Sequence, residues 1–117
     1  PAGLVGDDHA EDTLAEAARR ELIEETGWAP GRVDVLLVGP TSSGMSNERI
    51  AFVRALDLVR VGDGGGVDSE DITVHHVPRA EAPACLMRKH AEGLELGLKL
   101  WAGLWMIEHD PDGSPRR

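Results

Sequence analysis

The stretch Arg20-Glu21-Leu22-Ile23-Glu24-Glu25-Thr26-Gly27 places three carboxylates within five residues and follows them with a glycine. On a helix, at about 100° per residue, Glu21, Glu24 and Glu25 span about 100° of arc and point to one side. Like charges on one helical face repel unless a cation neutralises them. Hard oxygen donors suit Mg²⁺, which is held by a few carboxylates together with substrate phosphates. The segment reads as a metal site facing a phosphate.

The flanking sequence supplies a frame for it. Residues 1–12 read as a loop, with Gly3, Gly6, Asp7 and Asp8 as turn signals. Asp12 or Thr13 is suited to cap a helix running to about Thr26, and Gly27 to stop it. Leu14, Ala17, Ala18 and Leu22 recur at helical spacing, which predicts a core-facing stripe. Residues 33–38 are rich in β-branched and aliphatic side chains and read as a buried strand ending at Gly39-Pro40. Residues 41–47 are a small polar loop, and residues 50–58 read as a second strand. Residues 62–66 read as a flexible turn, and residues 72–77 as a third strand ended by Pro78. Helices are expected from about Ala80 to Ala91, beginning near Pro83, and from Leu94 to about His109. Residues 1–109 form the expected domain, with 110–117 as a disordered tail. Alternating strands and helices argue for a layered α/β domain.

Two features are assigned to structure rather than chemistry. Leu94, Leu98, Trp101 and Trp105 form a helical stripe, read as core packing in preference to base stacking. His75 and His76 fall within the third strand, which would turn one of them inward as a satisfied or surface histidine.

Composition narrows the function classes. The chain has 117 residues, enough for one domain with a modest core, and 41% of them are hydrophobic. Its net charge of −9 provides no basic footprint for nucleic acid. Cys85 is the one cysteine, so no intrachain disulfide forms and a reducing compartment is favoured. No apolar run has the length of a membrane span and no signal peptide is visible, so a soluble cytoplasmic protein is expected.

Reading backwards from Arg20, seven residues separate it from Asp12, and five more separate Asp12 from Gly6. This pattern resembles the signature of the Nudix hydrolases, Gly-x5-Glu-x7-Arg-Glu-U-x-Glu-Glu-x-Gly-U, where U is a bulky aliphatic residue. Gly6, Arg20, Glu21, Leu22, Glu24, Glu25 and Gly27 agree with it. Asp12 stands where glutamate is expected, and Trp28 where an aliphatic residue is. Glu11 fills the first acidic position instead if the connection holds one extra residue. Pro1-Ala2-Gly3 also resembles the opening of the box in ADP-ribose and ADP-sugar pyrophosphatases, so Gly3 and Gly6 compete for the first glycine.

The resemblance implies a Nudix-type α/β/α sandwich with a mixed sheet. Family members have two or three strands before this motif, so an N-terminally incomplete domain is expected. The implied reaction is Mg²⁺-dependent (or Mn²⁺-dependent) hydrolysis of ADP-ribose or an ADP-sugar to AMP and a sugar phosphate. Glu21, Glu24, Glu25 and the Ala2 carbonyl are the implied metal ligands, and Arg20 orients Glu24 or Asp12. Ser42-Ser43-Gly44-Met45-Ser46-Asn47-Glu48 resembles a substrate loop of the same subgroup, which makes Gly44, Met45 and Glu48 substrate-binding candidates; the alternative is an ordinary tight turn. Asp68-Ser69-Glu70-Asp71 resembles the segment carrying the catalytic base, with Glu70 the first candidate and Asp68 the second; the alternative is a solvated acidic turn. The implied partner is a small-molecule nucleotide, with homodimerisation of the full-length form. Two alternatives remain open: another nucleotide substrate (a nucleoside triphosphate, dinucleotide or coenzyme A), and a non-catalytic nucleotide-binding domain.

Overall fold

The computed structural model describes residues 11–66 and 71–116, and for residues 11–13 the backbone alone. The described residues form a mixed α/β chain in the order α1 (Glu11–Thr26), β1 (Trp28–Pro40), β2 (Arg49–Arg60), a 3₁₀ turn (Arg79–Glu81), α2 (Ala82–Ala91) and α3 (Lys99–Glu108). The chain divides into two compact units, with the division between Val74 and His75.

In the first unit, α1 begins at Glu11, so Asp12 and Thr13 lie within the helix rather than capping it. Its apolar stripe faces β1: Ala17 is buried at 4% exposure, while Leu14, Ala18 and Leu22 are half-buried. The helix ends where the sequence requires. Gly27 adopts φ +79, and its amide donates to the Ile23 carbonyl at 2.9 Å. The Thr26 hydroxyl donates to the Leu22 carbonyl at 2.6 Å and accepts from the Trp28 amide at 3.2 Å. The chain therefore reverses with no intervening loop, and β1 runs back along α1. The Arg19 guanidinium donates to the Pro30 carbonyl and pins the two elements together.

β1 and β2 pair antiparallel from Trp28↔Arg60 to Pro40↔Arg49, with a bulge between Val35 and Leu37. Both strands are longer than the sequence suggested, because the ladder carries past the β-branched runs into Trp28, Pro30 and Arg60. Near the Trp28 end, Gly31 lies against Asp57, whose φ of +55 is left-handed and is tolerated by aspartate better than by most side chains. A Cβ on Gly31 would lie 2.9 Å from the Asp57 Cβ, so the glycine makes room for that kink. The expected buried strand is in fact half-buried to exposed: Leu37 is 51% and Val38 43% exposed. Among the described residues the sheet has these two strands, which is less than the mixed sheet of a full sandwich.

The expected third strand is absent from the described residues. Residues 71–78 form neither helix nor ladder, and His75 and His76 are both exposed. A β-branched run supplies propensity, whereas a strand exists only with a paired neighbour.

The second unit is helical. Pro83 lies in the first turn of α2, which closes with Gly93 at φ +103 and with Arg88, Lys89 and His90 in its last turn, favourable at the negative end of the helix dipole. α3 begins at Lys99, not Leu94, because the chain leaves α2 through left-handed Gly93 and meets Gly97 before the next helix nucleates. The stripe assigned to the core is largely open, with Leu94 54%, Leu98 84% and Trp105 46% exposed. Trp105 stacks on His109, ring centroids 4.1 Å apart. Residues after α3 fold back rather than trailing away: His109 bridges Pro115, and the Arg116 amide donates to the Glu108 carbonyl at 2.8 Å.

Candidate functional site

Glu21, Glu24 and Glu25 occupy the last two turns of α1, all half-buried. The C-terminal end of a helix carries partial negative charge, and α1 has no basic residue in its last turn to offset it. Three carboxylates therefore sit where the helix itself already disfavours anions. Arg20 is exposed and approaches Glu21 at 3.9 Å, not Glu24, a separation at which a surface ion pair contributes little.

The backbone of this terminus is held more tightly than its side chains. Among the last four carbonyls of a helix, which have no partner within it, that of Ile23 accepts from the Gly27 amide. Those of Glu24 and Glu25 accept from the amides of Gly66 and Gly65, both at 2.9 Å. The Gly27 carbonyl in turn accepts from the amides of Val61 at 2.8 Å and Gly62 at 3.1 Å. Arg60 organises the loop from outside, its Nε donating to the Gly62 carbonyl at 3.2 Å and its guanidinium pairing with Asp63 at 3.3 Å.

Glycine is required at two points of this clasp. A Cβ on Gly27 would collide with the Gly62 carbonyl, and one on Gly64 (φ +73) would come within 2.5 Å of the Thr26 carbonyl carbon and 2.6 Å of the Glu25 oxygen. Residues 62–66 are thus a fitted lock on the carboxylate-bearing helix end, not the flexible turn expected of them. The sequence signal was four glycines in five positions; nothing in it named the helix end as their target.

The hairpin candidates lie elsewhere. Gly44, Met45 and Glu48 form the tip joining β1 to β2, closed by the Met45 and Ser46 amides on the Ser42 carbonyl and the Thr41 amide on the Glu48 carbonyl. All three are exposed, Met45 at 87%, and Gly44 takes φ +82 in open space. This tip follows the Pro40↔Arg49 pair, whereas the clasp adjoins the Trp28↔Arg60 pair at the other end of the ribbon. Twelve strand steps of roughly 3.3 Å make that about 40 Å along the ribbon. The structure does not bring the tip to the carboxylates. Ala2, Gly3, Gly6, Asp68 and Glu70 lie outside the described residues, as do the side chains of Glu11 and Asp12.

Among the described residues, no three His, Cys, Asp or Glu side chains converge as a group able to hold a metal. The donor chemistry nonetheless fits Mg²⁺, which takes one or two carboxylates, keeps several waters and completes its shell with substrate phosphate. Glu21, Glu24 and Glu25, spaced i, i+3 and i+4, lie on one face of α1, enough to supply the one or two carboxylates such an ion takes from a protein.

The chain is similar to proteins named GDP-mannose pyrophosphatase. It is 41% identical over 87 residues to that of Pectobacterium atrosepticum, covering 73% of this chain and 43% of that protein. It is 40% identical over 83 residues to that of Enterobacter sp. strain 638, covering 69% and 41% respectively. It is 39% identical over 87 residues to that of Citrobacter koseri, covering 73% and 44%. The match spans less than half the length of each of these relatives. No family model matches the chain. No helix among the described residues is long and apolar enough to cross a membrane.

Proposed function

We propose that this chain carries the metal-binding helix of a Nudix-type pyrophosphatase that hydrolyses a nucleoside diphosphate sugar to a nucleoside monophosphate and a sugar phosphate. The observation that carries the reading is the set Glu21, Glu24 and Glu25 at the negative end of α1, with no basic residue in the last turn and the backbone fixed by the glycine clasp. Similarity over 73% of the chain to a GDP-mannose pyrophosphatase supports the reaction class. GDP-mannose is therefore the first substrate to test, and ADP-ribose, suggested by Pro1-Ala2-Gly3, the second.

Glu21 and Glu25 would hold Mg²⁺ or Mn²⁺, with Glu24 and the Ala2 carbonyl as further donors. The bound ion would neutralise diphosphate charge and acidify a water. Arg20 presents a planar guanidinium suited to a bidentate pair with a carboxylate, and its proposed role is to orient Glu24 or Asp12. Glu70, or Asp68 in its place, is the proposed base; they follow Gly66, which is tied to the Glu24 carbonyl, by four and two residues. Water adds to one phosphorus, its proton passes to that base, and the bridging P–O bond breaks with the sugar phosphate or nucleotide as leaving group.

Incubating the chain with GDP-mannose and ADP-ribose, with Mg²⁺ or with EDTA, tests this by product chromatography. Metal-dependent release of nucleoside monophosphate is expected, and Glu25→Gln should lower it by a factor of about 10² or more while keeping the helical circular-dichroism signal. Undiminished turnover in Glu25→Gln would sink the assignment.

A further inference from the structure

The geometry points to Gly64 as a positioning residue for the metal site: the clasp of residues 62–66 sets the rotation of the last turn of α1 and hence the aim of Glu24 and Glu25. This rests on the reading of those two glutamates as metal ligands. The carbonyl and the side chain of a residue leave the same Cα, so fixing the Glu24 and Glu25 carbonyls on the Gly66 and Gly65 amides also fixes the direction in which each Cα–Cβ bond leaves the helix, the base from which each carboxylate reaches out. Gly64 decides whether the two amides can approach at all, because any Cβ there would meet the Thr26 carbonyl carbon at 2.5 Å and the Glu25 oxygen at 2.6 Å. Those are backbone atoms of a helix end and have little freedom to yield. Closing the clasp and binding the ion are thereby linked, and linkage is reciprocal: what the clasp does for metal affinity, the metal does for clasp stability.

Mn²⁺ affinity, read from the free-ion electron paramagnetic resonance signal, separates the alternatives without any need for catalysis. Gly64→Ala should weaken Mn²⁺ binding about fivefold or more. Gly93→Ala is the control: its φ of +103 is also positive and so also strained for a side chain, yet its Cβ meets nothing within 4 Å and it lies outside the site. Its affinity should stay within about twofold of the unmodified protein. Unchanged affinity in a folded Gly64→Ala protein overturns the proposal.

Should that variant fail to fold, the unmodified protein provides the second measurement. Saturating Mg²⁺ should slow hydrogen exchange at the Gly65 and Gly66 amides about fivefold or more relative to the metal-free protein; equal exchange overturns the proposal. Metal binding that depends on Gly64 without hydrolysis of any nucleotide sugar would remove the proposed reaction and leave the clasp standing. Hydrolysis with metal affinity indifferent to Gly64 would do the reverse, and an unmodified protein that binds no Mn²⁺ overturns both.

Discussion

Gly27 and Gly44 share a backbone conformation, φ +79 and +82, and differ in what surrounds them. Gly44 sits in open space, so Gly44→Ala should cost only the left-handed penalty of about 1–2 kcal/mol. At Gly27 the new methyl also meets the Gly62 carbonyl and, at 2.8 Å, the Gly64 nitrogen, so the overpacking cost of about 1–3 kcal/mol is added. Urea melts of the two variants should place Gly27→Ala clearly below Gly44→Ala; equal midpoints would show that the clasp yields freely. Asp112 offers a residue-scale test in the second unit. The Ser114 hydroxyl and then its amide hold the Asp112 carboxyl below its ordinary value of 3.8. A depressed carboxyl contributes stability above its unfolded pKa and loses it as pH falls through the folded value. The Ser114 amide resonance should therefore stay constant from neutral pH down to about 4 and move only below it.

The helix end and the glycine run show what was legible and what was not. The carboxylate face, the apolar stripe and the stop at Gly27 were all readable, because helical signals repeat within three or four positions. The clasp was invisible for the opposite reason: its acceptors at Glu24 and Glu25 lie about forty positions from its donors, and glycine has no side chain to advertise a target. The strand expected at residues 72–77 failed similarly, since pairing is a property of two segments and a single β-branched run carries only one side of it. α3 shows local preference at work: Gly97 separates Leu94 and Leu96 from the helix, and its Cβ position is open. Gly97→Ala should extend α3 towards residue 94 and stabilise it by up to about 1 kcal/mol, visible as added helical ellipticity. Thr26→Val, which removes the two hydrogen bonds of the Thr26 hydroxyl at the helix stop, should destabilise α1 by about 1 kcal/mol.

At the scale of the molecule, the proposed site sets three carboxylates at a helix C-terminus in a chain of net charge −9, so a bound cation would relieve like-charge repulsion there. Mg²⁺ at ten times its dissociation constant should stabilise the unit bearing α1 by about 1.4 kcal/mol, and Glu25→Gln should abolish that thermal shift. Limited proteolysis should cut first within residues 71–78, which form neither helix nor ladder, before it reaches the β1–β2 ribbon. The ribbon has a consequence of its own for how such sequences diverge. Because a Cβ at Gly31 would fall 2.9 Å from that of Asp57, the two positions cannot drift independently. A descendant that gains a side chain at 31 must surrender the kink at 57, so across a set of such chains the two positions should change as a couple, a covariation set by sterics alone.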